Sequence, residues 1–263
     1  MFTAVFQDSG SVLRKIVDIV KDDIPDATLV AKPDGISLQS MDKALVALID
    51  LKLEPDAADS YVCNDEHHLS VNFSELSKIL KTKSSKGVCV MKYDEDKPDI
   101  LKISFQGDSR KSNFSLKLMN NSDEKQFSIP EDMEHKVEVA VDAEDLQKVF
   151  SDLSLFAEDV MITRTGKKLL YSSVGEKAGG KMEMVVGDNF PGTVSAIFSL
   201  RYLSWFTKAS TLCKEATLAY DTTYPLLLHF QNDTLSLKFF VAAKVNENET
   251  ETTTNFMDTD SEG

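Results

Sequence analysis

Basic side chains gather on four stretches of the sequence in which apolar residues recur at the i, i+3, i+4 spacing of an amphipathic helix. The stretches start near Ser11, Ser74, Asp142 and Ser199. Lysine and arginine on a shared helix face produce a positive potential, which binds phosphates whatever the base sequence. The residues that could do this chemistry are Arg14, Lys15, Lys21, Lys78, Lys81, Lys148, Arg201 and Lys208. Their types and spacing suggest contact with a nucleic-acid backbone.

The same side chains have a plainer interpretation, because every amphipathic helix needs a solvated polar face. Around Lys148, the acidic residues Glu144, Asp145 and Asp152 weaken the positive potential of the third stretch. The net charge of −14 also argues against a nucleic acid as partner. The residue pattern by itself leaves both interpretations open.

Part of the negative charge lies in a tail at the end of the sequence. Residues 246–263 contain six acidic residues and no basic ones, which leaves −8 for the rest of the chain. A segment so polar and so rich in Thr, Asn and Glu is expected to be disordered. Any contact with DNA must therefore come from lysine and arginine that are concentrated locally.

The sequence offers little for catalysis or for metal binding. It contains no glycine-rich phosphate-binding motif, and Asp42 has no partnered histidine or second acid in its motif. His67 and His68 are adjacent, and neighbouring residues of a strand point to opposite faces, so they cannot easily share a metal. A nuclease with magnesium-binding acidic clusters is disfavoured, because no paired acids end the predicted strands. We expect a binding protein that is not an enzyme and that needs no metal and no cofactor.

The broad class of the protein follows from its composition. The chain has 263 residues, of which 42% are hydrophobic, and no apolar run approaches the roughly 18–20 residues that a bilayer span needs. No signal peptide is evident, and the three cysteines are scattered, which is typical of a reducing compartment. We therefore expect an intracellular protein without a membrane partner.

Strands dominate between the four helical stretches. Apolar and polar residues alternate with the period of a half-buried strand at 45–51, 87–93, 100–105, 136–141 and 235–241. The helical stretches fall into two pairs that resemble each other in order, since residues 13–17 are similar to 146–150 and residues 76–81 to 203–208. This repetition indicates two copies of one β-rich unit, each with two helices, in the α+β class.

These features divide the chain into four parts. We predict an N-terminal domain at 1–119, an interdomain connector at 120–134, a C-terminal domain at 135–245 and the acidic tail at 246–263.

Several short segments, read in order, resemble the eukaryotic DNA polymerase sliding-clamp family, that of proliferating cell nuclear antigen. Leu38-Gln39-Ser40-Met41-Asp42 and Leu200-Arg201-Tyr202-Leu203 are two of them. The others are residues 1–4, 77–81, 116–119, 129–131, 206–209, 225–227 and 237–242. The resemblance covers about residues 1–245, while Ser151 and Leu155 stand where the family has basic residues, so the chain is identified as a divergent member.

The resemblance implies the DNA clamp fold, with antiparallel sheets outside and helices that line the channel of a ring. Three subunits would close head to tail, joined between a strand near Arg110–Leu118 and a strand near Gly179–Val186 of the next subunit. Arg110 and the basic helix residues would then face double-stranded DNA. The implied function is that of a homotrimeric processivity factor for replicative polymerases. A subunit of a heterotrimeric checkpoint-type clamp is the alternative.

The resemblance also implies a partner site for proteins that carry a short motif with a glutamine and two aromatic residues. Such partners include DNA polymerases, the clamp loader, flap endonuclease and DNA ligase. The implied processes are DNA replication, DNA repair and translesion synthesis, and the implied location is the nucleus. The residues carried over to this site are Met41, Leu45, Val46, Leu48, Phe127, Ile129, Pro130, Pro225, Phe240 and Ala242. An exposed apolar pocket with a polar rim is the physical mark of such a site.

Overall fold

A computed structural model describes residues 1–7, 10–82, 87–107, 110–120, 127–130 and 133–244. The predicted tail at 246–263 and part of the predicted connector lie outside the described residues. None of the described helices is both long enough and apolar enough to cross a bilayer.

The four predicted helices are present, and between them the chain forms antiparallel strands. The helices are α1 (Ser11–Val20), α2 (Phe73–Lys81), α3 (Ala143–Leu153) and α4 (Leu200–Phe206), with short 3-10 helices at Pro55–Ala57 and Thr207–Thr211. The strands of the first half are β1 (Phe2–Phe6), β2 (Asp26–Lys32), β3 (Gly35–Met41), β4 (Ala47–Leu53), β5 (Ser60–Cys63), β6 (His67–Asn72), β7 (Val88–Tyr93), β8 (Ile100–Gln106) and β9 (Lys111–Lys117). Those of the second half are β10 (Val137–Asp142), β11 (Asp159–Val174), β12 (Gly179–Ser199), β13 (Glu215–Tyr220), β14 (Leu226–Asn232) and β15 (Leu235–Val241).

The strands form three antiparallel sheets. One sheet has the order β5-β1-β7-β8-β9, a second has the order β10-β13-β14-β15-β4-β3-β2-β6, and β11 pairs with β12 in a long hairpin. The predicted α+β class with antiparallel sheets and four helices is therefore confirmed.

The internal repeat is visible in the strand order. In each half, the strand that precedes the first helix pairs with the strand that follows the second helix, and two further strands continue the sheet. The order is β1-β7-β8-β9 in the first half and β10-β13-β14-β15 in the second. The β11–β12 hairpin takes the place of the β2–β6 and β3–β4 pairs, because its 16-residue and 21-residue strands are long enough for both. Register shifts around Gly166 mark the point where the two pairings meet. The residue boundaries predicted for the domains stay a prediction.

The two halves join through β15 and β4. Leu235 pairs with Leu53 and Val241 with Ala47, so all seven residues of each strand are in register. Alternate residues of these strands point to opposite faces of the sheet. Phe239 faces the helices, where its ring stacks on that of Phe206 with centroids 4.5 Å apart. Residues 47, 49, 51 and 53 of β4 are buried on the same side.

Two of the open sheet edges lie on β9 and on one half of β12. Within the described part of the chain, β9 pairs with β8 alone, and the 179–185 half of β12 pairs with β11 alone. An edge strand presents a row of unpaired backbone N–H and C=O groups, which can accept another strand. One of these two edges lies in each half of the chain.

Candidate functional site

The four helices form one continuous layer, which we call the helix face. Helix α1 contacts α2 on one side and the 3-10 helix Thr207–Thr211 on the other, and that 3-10 helix packs against α3. The apolar residues of each helix point to the sheets, with Leu13, Ile16 and Val17 of α1 packed around a small apolar cavity that Leu51 and Leu53 also line. The polar residues of all four helices therefore share one side of the molecule.

Side-chain caps start two of these helices. The Asn72 carboxamide oxygen accepts a hydrogen bond from the Glu75 N–H at 2.9 Å, and the Asp142 carboxylate accepts one from the Asp145 N–H at 2.9 Å. Each cap satisfies a backbone donor that the first turn leaves without a partner. The caps fix where α2 and α3 begin and hence which residues reach the helix face.

Three of the predicted DNA-binding residues surround one carboxylate, that of Asp18. Lys21 binds its Oδ1 at 2.6 Å, and the Arg14 guanidinium lies 3.5 Å from its Oδ2. Burial raises the pKa of Asp18, but the bond from Lys21, the hydroxyl of Ser77 and the charge of Lys81 outweigh burial and hold the pKa below its usual value. The carboxylate is therefore ionised at neutral pH and offsets part of this basic cluster.

Three more of the predicted residues meet where α1 approaches α4. The Arg201 guanidinium lies 2.9 Å from a carboxylate oxygen of Asp23, and Lys208 Nζ lies 3.2 Å from one of Asp22. Lys15 Nζ donates to the backbone carbonyl of Thr211 at 2.7 Å. These contacts cross from the first half of the chain to the second, so the seam between the halves runs through the helix face.

The remaining predicted cations are dispersed. Lys78 pairs with Glu75 at 2.6 Å and Lys148 with Asp145 at 3.4 Å, each within its own helix. Arg110 precedes β9 at the sheet edge, where its Nε donates to Ser112 at 3.1 Å. Arg110 is therefore not on a helix, and no described contact brings it to the two clusters.

The predicted partner site lies on the opposite face of the eight-stranded sheet. There the strand register places Met41 beside Leu48, Leu48 beside Phe240, and Phe240 beside Leu227. This apolar row runs across four strands, and its members alternate with residues that face the helices. We call it the outer row.

A cleft of about 220 Å³ opens beside the outer row, where the end of the connector crosses the sheet. Its lining combines apolar side chains with two charged groups and a histidine. The lining residues are Asp50, Ile129, Pro130, Met133, His135, Leu227, Lys238 and Phe240. Although Phe240 points away from the helices, it is only 7% exposed, because connector residues cover it.

Hydrogen bonds hold the connector on the sheet. The Gln39 side-chain oxygen accepts from the backbone N–H of Phe127 at 2.5 Å, and His135 Nε2 donates to the backbone carbonyl of Pro225 at 2.8 Å. Burial raises the pKa of Asp50, although the charge of Lys238 and a hydrogen bond from Gln39 oppose the shift. The cleft is therefore a preformed apolar site with polar groups in its walls.

The loop between β3 and β4 is built around Asp42. This carboxylate accepts hydrogen bonds from the N–H groups of Val46 at 2.8 Å and Ala47 at 2.9 Å, and from the Tyr202 hydroxyl at 2.8 Å. Burial raises the pKa of Asp42, but these hydrogen bonds and one from the Ala44 N–H outweigh burial and hold the pKa below its usual value. Asp42 thus fixes the loop and ties it to α4.

The same loop presents an apolar side chain in a strained backbone. Leu45 has a φ of 57°, a left-handed value that is unfavourable for a leucine, and its side chain is 70% exposed. A residue that is both strained and exposed marks a place where the protein gains nothing in stability from its own side chain. Leu45 is therefore available to a partner.

The ten residues predicted for the partner site meet at one end of the outer face, with different roles. Met41, Leu48 and Phe240 form the outer row, and Ile129 and Pro130 line the cleft. Val46 joins Ala242 through a backbone hydrogen bond of 3.4 Å. Phe127 and Pro225 anchor the connector through their backbones, and the Leu45 side chain projects from the loop.

Sequence reasoning missed several contributors to these two surfaces. On the outer face they are Gln39, Asp50, Met133, His135, Leu227 and Lys238, and on the helix face they are Asp22 and Asp23. The alternation of β3, β4 and β15 could have assigned Gln39, Asp50 and Lys238 to the outer face. The pairing of Asp22 and Asp23 depends on distant parts of the chain, and no local pattern gives it.

No group of three or more His, Cys, Asp or Glu residues that could hold a metal ion occurs in the ranges that the structure describes. Of the two adjacent histidines, His67 is buried and His68 is exposed. They lie on opposite sides of β6, as their adjacency in a strand predicts.

Comparison with known proteins places both halves of the chain in one family. The family model "Proliferating cell nuclear antigen, N-terminal domain" matches residues 1–127, and "Proliferating cell nuclear antigen, C-terminal domain" matches residues 128–245. The proliferating cell nuclear antigen of Caenorhabditis elegans is 28% identical over 263 residues, which is 95% of this chain and 99% of that protein. The protein of the same name from Chaetomium thermophilum is 29% identical over 256 residues, which is 92% of this chain and 98% of that protein.

Replacement of Asp42 by asparagine is expected to destabilise the protein by about 1–3 kcal/mol at pH 7, because an amide cannot accept all the hydrogen bonds that the carboxylate accepts. The folded-state pKa of Asp42 lies below its unfolded value. The contribution of the carboxylate is therefore present above about pH 4 and is lost as the pH falls through the folded-state pKa. Urea unfolding of both proteins at pH 7 and at low pH measures the difference.

The exposed Asp56 offers a control, because Asp56→Asn removes the same charge without touching the loop. A stability difference for Asp42→Asn that equals that of Asp56→Asn at every pH would contradict the role assigned to Asp42.

Proposed function

This chain belongs to the proliferating cell nuclear antigen family of DNA sliding clamps, and from that premise we propose that it is a non-enzymatic processivity factor. Three copies close head to tail into a ring around duplex DNA. The ring tethers replicative polymerases, and it carries proteins of replication, repair and translesion synthesis on its outer surface. The proposed site of action is the nucleus.

The observation that carries this proposal is the joint between β15 and β4 inside one subunit. In the repeat, β9 corresponds to β15, and residues 179–185 of β12 correspond to β4. Both of these counterparts are open edges in the described chain. A second copy can therefore place its β12 edge on β9 and reproduce between subunits the joint that β15 and β4 make within one. Such a heterologous contact generates a ring when its rotation closes.

The side chains at the two edges support this joint. Within the subunit, Phe239 of β15 pairs with Ile49 of β4 on the helix side. Phe114 occupies the corresponding place on β9, and it is half-buried. Met182 and Met184 are half-buried on β12 and pack on the core from the same side. Each edge thus exposes part of an apolar layer that a neighbouring subunit would complete.

The two faces of the eight-stranded sheet support separate sites for DNA and for partner proteins. The helix face carries the basic clusters and lines the proposed channel, while the outer row and its cleft look away from DNA. We propose that the DNA-binding residues are those predicted from the sequence, with Arg14, Lys21 and Lys81 around Asp18 and with Lys15, Arg201 and Lys208 at the seam. Because a closed ring holds DNA topologically, its phosphate contacts can be weak.

The proposed partners carry a segment with a glutamine and two aromatic residues, as DNA polymerases, the clamp loader, flap endonuclease and DNA ligase do in this family. The outer row offers burial for aromatic rings, which supply much of the energy of small interfaces. Leu45, exposed beside the row, closes over such a segment from the loop side. The polar groups in the wall of the cleft offer hydrogen bonds that fix its orientation.

Replacement of Phe114 by aspartate is expected to convert the trimer into monomers, because a charge would then be buried in the apolar layer of each joint. Light scattering after size exclusion would show the mass fall from about three times the chain mass of 29.2 kDa to that mass alone.

Val62→Asp provides a matched control for the Phe114 variant. Val62 is 43% exposed on β5, at the other edge of the same sheet, so the control ring should stay intact. A wild-type chain that is monomeric, and that assembles only with different chains, would overturn the homotrimer in favour of a heterotrimeric checkpoint-type clamp.

Combined replacement of Arg201 and Lys208 by alanine is expected to lower clamp-dependent processivity without dissociating the ring. The double variant loses up to two phosphate contacts, which lowers the salt slope of DNA binding by at most roughly 2. Product length in a primer-extension assay at increasing salt measures the effect. Lys52→Ala with Lys102→Ala removes the same charge from residues outside the helices and should leave product length unchanged. Equal product lengths for the two double variants would contradict the channel assignment of α4.

Leu45→Ala is expected to weaken binding of a fluorescent peptide with the glutamine–aromatic motif about tenfold, since truncation of a buried contact residue costs roughly 1–2 kcal/mol. Fluorescence anisotropy gives the dissociation constant. Val174→Ala, at an 86% exposed valine that ends β11, is the control and should bind the peptide like the wild type. Unchanged affinity of the Leu45 variant would exclude the loop from the partner site.

A further inference from the structure

We propose that Asp22 and Asp23 compete with DNA phosphates for Lys208 and Arg201, and that this competition keeps the affinity of the clamp for DNA low. The inference rests on the proposed DNA-binding role of the helix face. It gives the acidic residues of that face a function of their own, as internal counter-ions that the duplex must displace.

The geometry of the two ion pairs suits such an exchange. Arg201 lies 2.9 Å from Asp23 and yet keeps 68% of its side chain exposed, and Lys208 lies 3.2 Å from Asp22 with 43% exposed. The guanidinium of Arg201 also lies over the ring of Tyr202, 5.3 Å from its centroid. Each cation is thus held in position by its carboxylate while one side remains open to an incoming phosphate.

The two aspartates are poorly placed to serve the stability of α1. They follow the last helical residue, Val20, at the end of the helix where the backbone carbonyls carry partial negative charge. Carboxylates at this end are unfavourable, and cations are the residues that stabilise it. The two aspartates therefore do not stabilise α1 through its dipole. Instead they pair with Arg201 of α4 and with Lys208 of the 3-10 helix that follows α4.

The seam between the two halves does not depend on these pairs. The Trp205 indole N–H donates to the carbonyl of Ile19 at 2.6 Å in a buried contact, and Lys15 binds the carbonyl of Thr211. The exposed Lys208–Asp22 pair contributes about 0–1 kcal/mol, and Arg201 is exposed in its pair with Asp23, although the Asp23 side chain is only 14% exposed. Weak pairs are also the ones that a phosphate can replace.

The consequence for DNA binding can be measured through salt. When an unpaired lysine or arginine neutralises a phosphate, the DNA releases condensed counter-ions to solution, which contributes about 0.9 per contact to the salt slope. When the cation must first leave a carboxylate, the freed carboxylate stays beside the contact and offsets part of the neutralisation, so the DNA keeps more of its counter-ions. Removal of both carboxylates should therefore steepen the slope by up to roughly 2, as well as tighten binding at low salt.

The test compares the wild-type ring with Asp22→Asn plus Asp23→Asn. Binding of a fluorescent linear duplex is followed by anisotropy as salt is raised. The variant is expected to bind more tightly at low salt, and its affinity should fall about tenfold more than that of the wild type between roughly 50 and 200 mM salt. Urea unfolding of the same variant measures any loss of stability.

A matched control changes the same net charge elsewhere. Asp34→Asn plus Glu54→Gln releases Lys52, which pairs with both carboxylates on the outer face of β4. If the aspartate variant and this control bind DNA alike, total charge is responsible and the inference fails. Lower stability with unchanged DNA binding also overturns it, because the pairs then only fasten the seam.

The Arg201→Ala plus Lys208→Ala variant distinguishes a failure of this inference from a failure of the proposed function. If it binds the duplex as tightly as the wild type, the helix face is not the DNA site and the proposed function fails with it. If it binds more weakly while Asp22→Asn plus Asp23→Asn matches the control, only the role of the two aspartates is wrong.

Discussion

The pairing of β15 with β4 joins the last strand of the second repeat to the sheet of the first. The helix face, the outer row and the cleft all depend on this joint. It aligns four strands of each half into one eight-stranded sheet. It brings α4 against α1, where Trp205 bonds to Ile19. It also assembles the outer row from β3, β4, β15 and β14, so that the proposed partner site combines residues nearly 200 positions apart. Without this pairing, neither the continuous helix face nor the cleft would exist.

Most basic residues of the helix face are paired with carboxylates of the same chain. The chain is acidic overall, and the structure shows that even its basic face is largely paired with its own carboxylates. Asp18, Asp22, Asp23, Glu75 and Asp145 each lie within ion-pair distance of a predicted DNA contact. For a protein that binds tightly at one sequence this arrangement would be a defect. For the sliding ring that we propose, weak and exchangeable contacts are an advantage, because each phosphate would be released as easily as it is bound.

Much of the fold could be predicted from the sequence, because the signals were local. The helical period of the apolar residues predicted all four helices. The alternation in residues 235–241 predicted β15 with the same first and last residues as in the structure. Phe240 and Ile129 entered the partner site through the family resemblance alone, since their burial depends on a connector that crosses the sheet. The ion pairs of Arg201 and Lys208 could not be predicted, because side chains from α1 and α4 meet only after the two halves have joined. Asp42 was an isolated acid in the sequence, and its role appeared only with the three-dimensional path of the β3–β4 loop.

Alternation along the strands means that β4 and β15 each encode two surfaces in one segment. Odd-numbered positions such as Ile49 and Phe239 form the core beneath the helices, and even-numbered ones such as Leu48 and Phe240 form the outer face, where we propose that partners dock. Substitutions can therefore accumulate on the outer face while the core residues are preserved, and core residues can change while the outer face is preserved. The 28–29% identity to the two named relatives leaves room for such changes on either face. At the Asp42–Tyr202 hydrogen bond the two surfaces are coupled, and there a change on one must be matched on the other.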